Sequence, residues 1–385
     1  MDICLMLKTL VPAVTAGTLA ALLSFFSTLP LVIAALTVVG GAPSSLASAV
    51  TASCGGIALI GAYMTWRWRM PIFISWSVPG AALLAGVHEL THFDAALGGF
   101  LASALLIVGI ASSSRFVHWV ERLPTSLCAA LLAGLLFPFT LGMVQAIDQS
   151  LLFGGVGLAA YLAGRRIAPS YAMVFVFLAL ALALLVFNRQ TTVITQDLAA
   201  VLVWQKPEFS IGLLIGLGMP LCVVSLVAQS LPGLALLRQQ GYQPNVRKVL
   251  WCTGAISVLL APLGVFGLNL APISAAMCSG SEGEGASAHR RAASFAYAAT
   301  YALLALCGAP LMAMFNMLPR PALLAMTGCA LLVPLGKSLE RMLLDERCKE
   351  AAVMTFLTSA SGLTLLGVGS SFWALLVGLI AFCVI

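Results

Sequence analysis

One stretch of the sequence has the pattern of a zinc-dependent hydrolase. His88, Glu89 and His92 form a His-Glu-x-x-His run, which on a helix places two imidazoles on one face beside a carboxylate that can activate water. A zinc hydrolase also needs a third protein ligand and an open coordination position. No later acidic motif supplies that ligand, and His118 and Glu121 follow only after the next long apolar segment. An intramembrane zinc protease is therefore a remote alternative, and we expect a solvated turn without metal or cofactor.

A second group of candidates consists of uncharged polar side chains within long apolar segments. Gln229 and Asn269 each interrupt such a segment, and Ser77 follows Trp76 in a third. Polar groups are costly inside a bilayer and are often functional there, although a hydrogen bond between helices is the simpler alternative. We expect Ser77 to cap a helix, to donate to a ligand, or both. Trp76 is expected to stack on an aromatic ring or simply to pack.

The composition identifies the solvent in which these residues must be positioned. Hydrophobic residues make up 61% of the 385, charged residues 8%, and the mean hydropathy is +1.06. Soluble domains carry about 25% charged residues, so this chain is predicted to be a membrane protein rather than a soluble enzyme. Each span needs roughly 20 apolar residues. We place fourteen spans near residues 10–29, 44–64, 71–87, 94–113, 125–143, 151–164, 170–187, 209–231, 249–263, 268–280, 292–311, 321–334, 350–366 and 368–385.

The distribution of basic residues supports this topology. With the N-terminus in the cytoplasm, sixteen of the 19 Lys and Arg residues fall in cytoplasmic loops, and the outer loops hold Arg189, Lys206 and Arg320. Such an asymmetry is typical of inner-membrane proteins. We therefore expect a multi-pass protein of a bacterial-type inner membrane with both termini cytoplasmic. The basic residues are then topology anchors, so nucleic acid is not an expected partner, and the charged run 337–350 is interpreted as a salt-bridged cytoplasmic loop.

The chain also repeats itself at half its length. Leu123-Pro124 and Leu318-Pro319 each precede an apolar run and are 195 residues apart, and Pro79 and Pro272 lie 193 apart in similar surroundings. An offset of seven spans, an odd number, would insert the second copy upside down. Inverted repeats with broken helices near the midplane are a recurrent design of secondary transporters. The predicted fold is therefore an all-α membrane protein with fourteen spans in two inverted repeats of seven.

The two prolines indicate where helices break inside the membrane. Each follows an extended lead-in and precedes small residues, and proline at the first helical position loses no hydrogen bond. Pro79 and Pro272 are therefore predicted to begin half-helices in spans 3 and 10, after short extended segments. Two helix N-termini aimed at one point would favour an anion, most naturally a carboxylate. The alternative is that both prolines merely kink ordinary spans.

At these residues the chain resembles a known family, the benzoate:proton symporters (BenE). Residues 66–71 read Trp-Arg-Trp-Arg-Met-Pro and residues 76–84 read Trp-Ser-Val-Pro-Gly-Ala-Ala-Leu-Leu, similar to the third-span motif of that family. Residues 265–278 resemble its tenth-span motif, and the segments 229–233 and 358–365 also fit. The resemblance covers essentially the whole chain.

The resemblance implies a fold shared with the uracil and nucleobase–ascorbate transporters. In that fold a core domain binds substrate and moves against a gate domain like an elevator. The core would comprise residues 1–114 and 207–311, and the gate residues 115–206 and 312–385. The implied function is proton-coupled symport of benzoate or a related aromatic carboxylate. The implied substrate-binding residues are Trp76, Ser77, Val78, Pro79, Gln229, Gly233, Asn269, Leu270, Ala271 and Pro272.

Several residues differ from those of the nucleobase transporters, and these differences indicate the kind of substrate. Gln229 stands where those relatives have a glutamate, Gly233 where they have a histidine, and Leu268 beside Asn269 where they have an acid. These differences argue against a nucleobase and fit an anionic ligand, although another organic anion or a nucleobase remains the alternative on the same fold.

The route of the proton is left open by the sequence. All thirteen Asp and Glu residues fall in loops or at the ends of spans, so no carboxylate is expected within the membrane as a proton relay. The substrate's own carboxyl group, Glu282 at the cytoplasmic mouth, or a chain of waters are the three alternatives. Glu282 is a weak candidate because the residues around it lack the His-Pro-Asp stretch expected of the family. A homodimer through the gate domain is a further implication of the resemblance.

Overall fold

The computed structural model describes residues 3–85, 92–121, 124–187, 202–279, 286–308, 317–363 and 369–384, together with positions 310, 315 and 365. Helices dominate the described residues, and two short strands interrupt them. In chain order the elements are α1 (Ile3–Val38), α2 (Pro43–Trp68), β1 (Ile74–Trp76), α3 (Val78–Ala85), α4 (Phe93–Ser112), α5 (Ser114–Glu121), α6 (Thr125–Gln149), α7 (Leu151–Ile167), α8 (Ala172–Phe187), α9 (Ile211–Gln239), α10 (Val246–Leu260), β2 (Leu268–Leu270), α11 (Pro272–Met277), α12 (Ala286–Leu306), α13 (Arg320–Met342), α14 (Lys349–Ala360) and α15 (Ser370–Val384).

Seven helices of the described part are long and apolar enough to cross a bilayer. They are Val11–Val38, Pro43–Trp68, Phe93–Ser112, Thr125–Gln149, Ile211–Gln239, Val246–Leu263 and Arg320–Met342. In hydrocarbon every backbone N–H and C=O must find a partner within the protein, which favours helices for such segments. The remaining predicted spans overlap other elements, of which α12 has 21 residues and the others are shorter. The count of fourteen stays a prediction.

The two strands lie where the sequence predicted extended lead-ins. β1 pairs antiparallel with β2, and the register places Ser75 opposite Asn269 and Trp76 opposite Leu268. All six strand residues are buried. A short helix follows each strand, α3 after β1 and α11 after β2, so neither Pro79 nor Pro272 lies within a continuous spanning helix.

Close helix packing depends on small residues, as is usual in membranes where the hydrophobic effect does not drive helices together. α1 packs against α12, and α12 packs against α2. At the first of these crossings a Cβ on Gly17 would overlap the backbone of Ala293. α6 packs along α13, where a Cβ on Gly328 would lie 2.6 Å from the Met143 Cβ.

Several sequence-based boundaries differ from the structure. The helix α5 was not predicted; it is a short segment between α4 and α6 with an exposed Phe116. α13 continues to Met342, so Lys337, Glu340 and Arg341 lie on a helix rather than in the predicted loop. The helix is extended because its polar last turns can leave the hydrocarbon region without ending. In the following turn Lys349 forms an ion pair with Glu346.

Candidate functional site

The strand pair brings together two segments that lie far apart in the sequence. Beyond the ladder itself, Ala271 N–H donates to the Phe73 carbonyl oxygen at 2.8 Å and Ser77 N–H donates to the Gly267 carbonyl oxygen at 3.1 Å. Gly267 has a φ of 143°, a conformation that favours glycine. The start of α3 and the start of α11 are therefore fixed beside each other by backbone hydrogen bonds.

Ser77 caps the first of these short helices. Its Oγ accepts a hydrogen bond from Gly80 N–H at 3.0 Å, and it also lies 3.1 Å from Ser225 Oγ of α9. The helix begins at Val78, so Pro79 is its second residue, whereas Pro272 is the first residue of α11. The capping role expected of Ser77 is thus observed directly.

Gln229 and Asn269 lie at the contact between α9 and the strands. Gln229 Nε2 donates to the Trp76 carbonyl oxygen at 3.0 Å, and Ser230 Oγ donates to Asn269 Oδ1 at 3.3 Å. Both amide side chains are buried, with 5% of Gln229 and 1% of Asn269 exposed. Their other polar atoms, Gln229 Oε1 and Asn269 Nδ2, have no hydrogen-bond partner among the described residues. Buried polar atoms without partners are rare and point to a missing ligand or water.

The helix that carries Gln229 is locally irregular. α9 contains two π-helical turns, Leu214–Gly218 and Leu226–Ser230, and the second contains both Gln229 and Ser230. Such turns are rare and occur frequently at functional sites. Next to this turn, Asn269 Nδ2 and Ser225 Oγ each lie 3.8 Å from the position that a Cβ on Gly267 would take. The polar groups of α9 and β2 therefore converge at Gly267.

Gly233 allows this contact because it has no side chain. A Cβ at this position would lie 2.5 Å from Leu270 Cβ, closer than carbon atoms can pack. Glycine here therefore lets β2 approach α9 closely enough for Ser230 to reach Asn269. Val78, Leu270, Ala271 and Pro272 contribute backbone to the same region and no polar side chain.

Trp76 is held by packing in this structure. Its Nε1 donates to Thr28 Oγ1 at 2.6 Å, and its ring contacts Phe25 and Tyr301 with centroid distances of 5.6 and 6.4 Å. The side chain is fully buried. In this structure Trp76 packs α1 and α12 against β1, and its stacking on an aromatic ligand stays a prediction.

Sequence reasoning missed three residues of the cluster, Ser225, Ser230 and Gly267. Two of them had a recognisable signal, because Ser225 lies four residues before Gln229, on the same side of a regular helix, and Ser230 follows it directly. Gly267 had no such signal, since its importance lies in a hydrogen bond to Ser77, 190 positions away in the sequence.

Among the described residues, the cluster formed by Ser77, Ser225, Gln229, Ser230 and Asn269 contains no charged side chain. Apart from Tyr and Trp, the buried polar side chains of the described residues are Ser, Thr, Gln and Asn, while the basic side chains of residues 289–291 on α12 are half-buried. Glu282, His88 and Glu89 lie outside the described residues, which include His92. Within the described ranges no group of three His, Cys, Asp or Glu side chains could hold a metal ion.

A large cavity lies elsewhere. A volume of 1370 Å³ opens between α4, α9 and α15, lined almost entirely by apolar side chains, with Arg115 and Ser210 as polar exceptions. None of the polar residues at the strand pair lines it. The polar side chains with unpartnered amide atoms therefore lie at the strands and α9 rather than in this cavity.

The described part of the chain is a largely helical protein with seven candidate membrane spans, and two short strand–helix segments meet in its interior. Residues 8–384 match the family described as benzoate membrane transport protein, BenE, and the chain belongs to this family. It is therefore a multi-pass membrane transport protein and not an enzyme.

Two relatives match over nearly their full length. The chain is 32% identical over 378 residues to inner membrane protein YdcO of Escherichia coli (strain K12), covering 97% of this chain and 96% of that one. It is 28% identical over 385 residues to the benzoate membrane transport protein of Acinetobacter baylyi (strain ATCC 33305 / BD413 / ADP1), covering 99% and 98%.

Two solved structures share the fold. The transmembrane domain of the cyanobacterial bicarbonate transporter BicA matches with a TM-score of 0.52 at 14% identity, over 93% of this chain and 96% of that one. SLC26A9 matches with a TM-score of 0.62 at 12% identity, over 96% of this chain and 64% of that one. The expected likeness to uracil and nucleobase–ascorbate transporters stays a prediction.

Proposed function

We propose that the protein is a secondary transporter that imports benzoate or a related aromatic carboxylate together with protons. The observation that carries this proposal is the pair of buried, unpartnered amide atoms, Gln229 Oε1 and Asn269 Nδ2, at the meeting point of two broken spans. Family membership and the name of the Acinetobacter baylyi relative support the choice of benzoate. The substrate-binding residues of the proposal are those named from the resemblance, joined by Ser225 and Ser230.

The proposed mechanism is an elevator-like movement of a core domain against a gate domain. The packing of the described helices supports this division. α1, α2 and α12 pack together and α4 packs on α10, all within the proposed core of residues 1–114 and 207–311. α6 packs on α13 and α14, and α7 packs on α8, all within the proposed gate of residues 115–206 and 312–385. The substrate would move with the core because both strands and α9 belong to it.

The proposal includes fourteen spans in two inverted repeats. The antiparallel pairing of β1 with β2 supports it, because two equivalent strands inserted with opposite orientation would meet in this way. The positive-inside distribution supports cytoplasmic termini in an inner membrane. A homodimer through the gate domain and a role of Glu282 in coupling are retained as proposals.

Uptake into proteoliposomes tests this function. Labelled benzoate should accumulate saturably when an inward proton gradient is imposed, and accumulation should fall when the gradient is collapsed. Gln229→Ala and Asn269→Ala should each reduce uptake about tenfold or more, because each leaves a buried partner unsatisfied and removes a contact to the ligand. Gln243→Ala is the matched control, since Gln243 is exposed in the loop before α10. Absence of saturable uptake, or uptake unchanged in both site variants, would contradict the proposal.

The alternative ligands are another organic anion or a nucleobase. A thermal-shift screen of the purified protein against aromatic carboxylates, aliphatic carboxylates, purines and pyrimidines separates them. Stabilisation by aromatic carboxylates alone supports benzoate, whereas a larger shift with purines or pyrimidines would transfer the assignment to a nucleobase.

A further inference from the structure

The free hydrogen-bond donors and acceptors of the site indicate whether it can bind a carboxyl group in the ionised or in the neutral form. The orientation of the Gln229 amide follows from its contact to the Trp76 carbonyl oxygen, which can accept only from Nε2. Gln229 Oε1 is therefore left as an unpartnered acceptor. In Asn269, Oδ1 accepts from Ser230 and Nδ2 is left as an unpartnered donor. The cluster thus offers a ligand one acceptor and one donor, both buried.

An ionised carboxylate fits this pair poorly. A carboxylate accepts hydrogen bonds and donates none, so one of its oxygens would face the lone pairs of Gln229 Oε1. No acidic or basic side chain is among the fully buried residues of the described ranges, and the basic side chains of residues 289–291 on α12 are half-buried. Burying an uncompensated charge is far more costly than burying a hydrogen-bonded neutral group.

The first turn of α3 has few free backbone N–H groups that could stabilise the negative charge of a carboxylate. Pro79 has no N–H, Gly80 N–H donates to Ser77 Oγ, and Ala81 N–H donates to the Ser77 carbonyl oxygen. α11 is six residues long and also begins with a proline, so its N-terminus adds little dipole. The N-terminus of α3 is therefore largely satisfied by the protein itself, and the two unpartnered amide atoms are the side-chain contacts proposed for a ligand.

We infer that the site binds its substrate as the neutral carboxylic acid. The acid O–H donates to Gln229 Oε1, and its carbonyl oxygen accepts from Asn269 Nδ2. This inference rests on the proposed function and names the form of the substrate in it. Outside, the carboxylate takes up one proton to form the acid; inside, the acid dissociates into carboxylate and proton. One proton therefore crosses with each substrate, and no protein carboxylate is needed in the membrane.

The protein's own titratable groups must be separated from the ligand in this dependence on pH. The elements of the site and the helices packed on them carry the buried phenols Tyr297 and Tyr301 and the buried thiols Cys54, Cys128, Cys222 and Cys278, and α12 also carries the half-buried side chains of residues 289–291, a histidine and two arginines. Because benzamide does not titrate, its binding over the same pH range measures any contribution of these groups. Phenols and thiols ordinarily stay protonated below about pH 8. The affinity for total benzoate should consequently follow the titration of the ligand, which resembles that of a Glu side chain at about 4.3. Each unit of pH above this value should raise the apparent Kd about tenfold.

Three ligands of similar shape test the inference on the unchanged protein. Benzoate becomes neutral at low pH, benzamide is always neutral and offers an N–H donor beside a carbonyl acceptor, and benzenesulfonate is always an anion without a donor. Binding is measured by calorimetry in detergent between pH 5 and pH 8. We expect benzamide to bind with an affinity independent of pH, benzoate to weaken about tenfold per unit, and benzenesulfonate not to compete.

The outcomes separate this inference from the proposed function. Benzoate binding that is independent of pH, with competition by benzenesulfonate and none by benzamide, would overturn the neutral-acid form and leave benzoate transport intact. Binding of none of the three at any pH would overturn both. A Gln229→Met variant, which keeps the side-chain volume and loses the acceptor, should weaken benzamide and low-pH benzoate by the same factor. If the variant weakened the two ligands by different factors, that result would also contradict the inference that both ligands donate to Gln229 Oε1.

Discussion

Replacing Gly233 with alanine tests whether the close approach of α9 to β2 builds the site. The added Cβ would lie 2.5 Å from Leu270 Cβ, 3.0 Å from its Cδ1 and 3.3 Å from its Cγ. Carbon atoms pack at about 3.5–4.0 Å. Since Leu270 Cβ is attached to the backbone of β2 and cannot rotate away, the strand and the helix must separate by about 1 Å.

The stability and the activity should respond differently to this change. Alanine is favoured over glycine in a helix by about 1 kcal/mol, whereas overpacking typically costs about 1–3 kcal/mol. The free energy of unfolding should therefore fall by only about 1 kcal/mol. A displacement of about 1 Å at a site can reduce activity about 100-fold. Asn269 would move relative to Gln229, so we expect benzoate uptake to fall about ten- to 100-fold.

Uptake into proteoliposomes and thermal unfolding of the same preparations measure the two effects. Gly212→Ala is the matched control, because Gly212 lies on the same helix and its added Cβ would meet only Ser210 Oγ, at 3.8 Å. Adding Leu270→Ala to Gly233→Ala should not restore uptake, because alanine retains the clashing Cβ. Uptake by Gly233→Ala within twofold of the unsubstituted protein would refute the reasoning that this contact positions Asn269.

Three further predictions concern single side chains. Ser77→Ala removes the cap on Gly80 N–H and should lower the free energy of unfolding by about 1 kcal/mol, measured by denaturation in detergent; an unchanged midpoint would speak against the cap. Trp76→Phe keeps an aromatic ring but loses the hydrogen bond to Thr28, so stability should fall by about 1 kcal/mol, whereas Trp76→Phe combined with Thr28→Val should be no less stable than Trp76→Phe alone. Burial and the neighbouring Asp345 raise the pKa of the Cys348 thiol. Its labelling by maleimide, followed by mass spectrometry, should therefore reach half-maximum at a higher pH than that of an ordinary cysteine. Asp345→Asn should lower that pH, and an unchanged pH would contradict this cause.

The sequence located the broken spans because proline and serine act locally. A proline at the start of a helix and a serine one or two residues before it are determined by neighbouring backbone. The helix starts near Pro79 and at Pro272, and the cap at Ser77, could therefore be predicted without knowledge of the fold, with the first helix beginning one residue earlier than predicted. Composition likewise identified the membrane, since lipid is the solvent that an uncharged apolar surface requires. The residue types of the candidate site followed from the cost of polar groups in that solvent.

The partners within the site were decided by tertiary structure. In a soluble helix one apolar face indicates the core, but in a membrane the lipid-facing and protein-facing sides are both apolar. The pattern therefore does not reveal that Trp76 faces Thr28, or that Gly233 faces Leu270. The pairing of Ser75 with Asn269 depends on two strands from distant parts of the chain, and it also determines which amide atoms remain without partners. Sequence alone thus predicted a membrane transporter with helices that begin near Pro79 and Pro272, while the packing of α9 against the strands decided which amide atoms there have no partner.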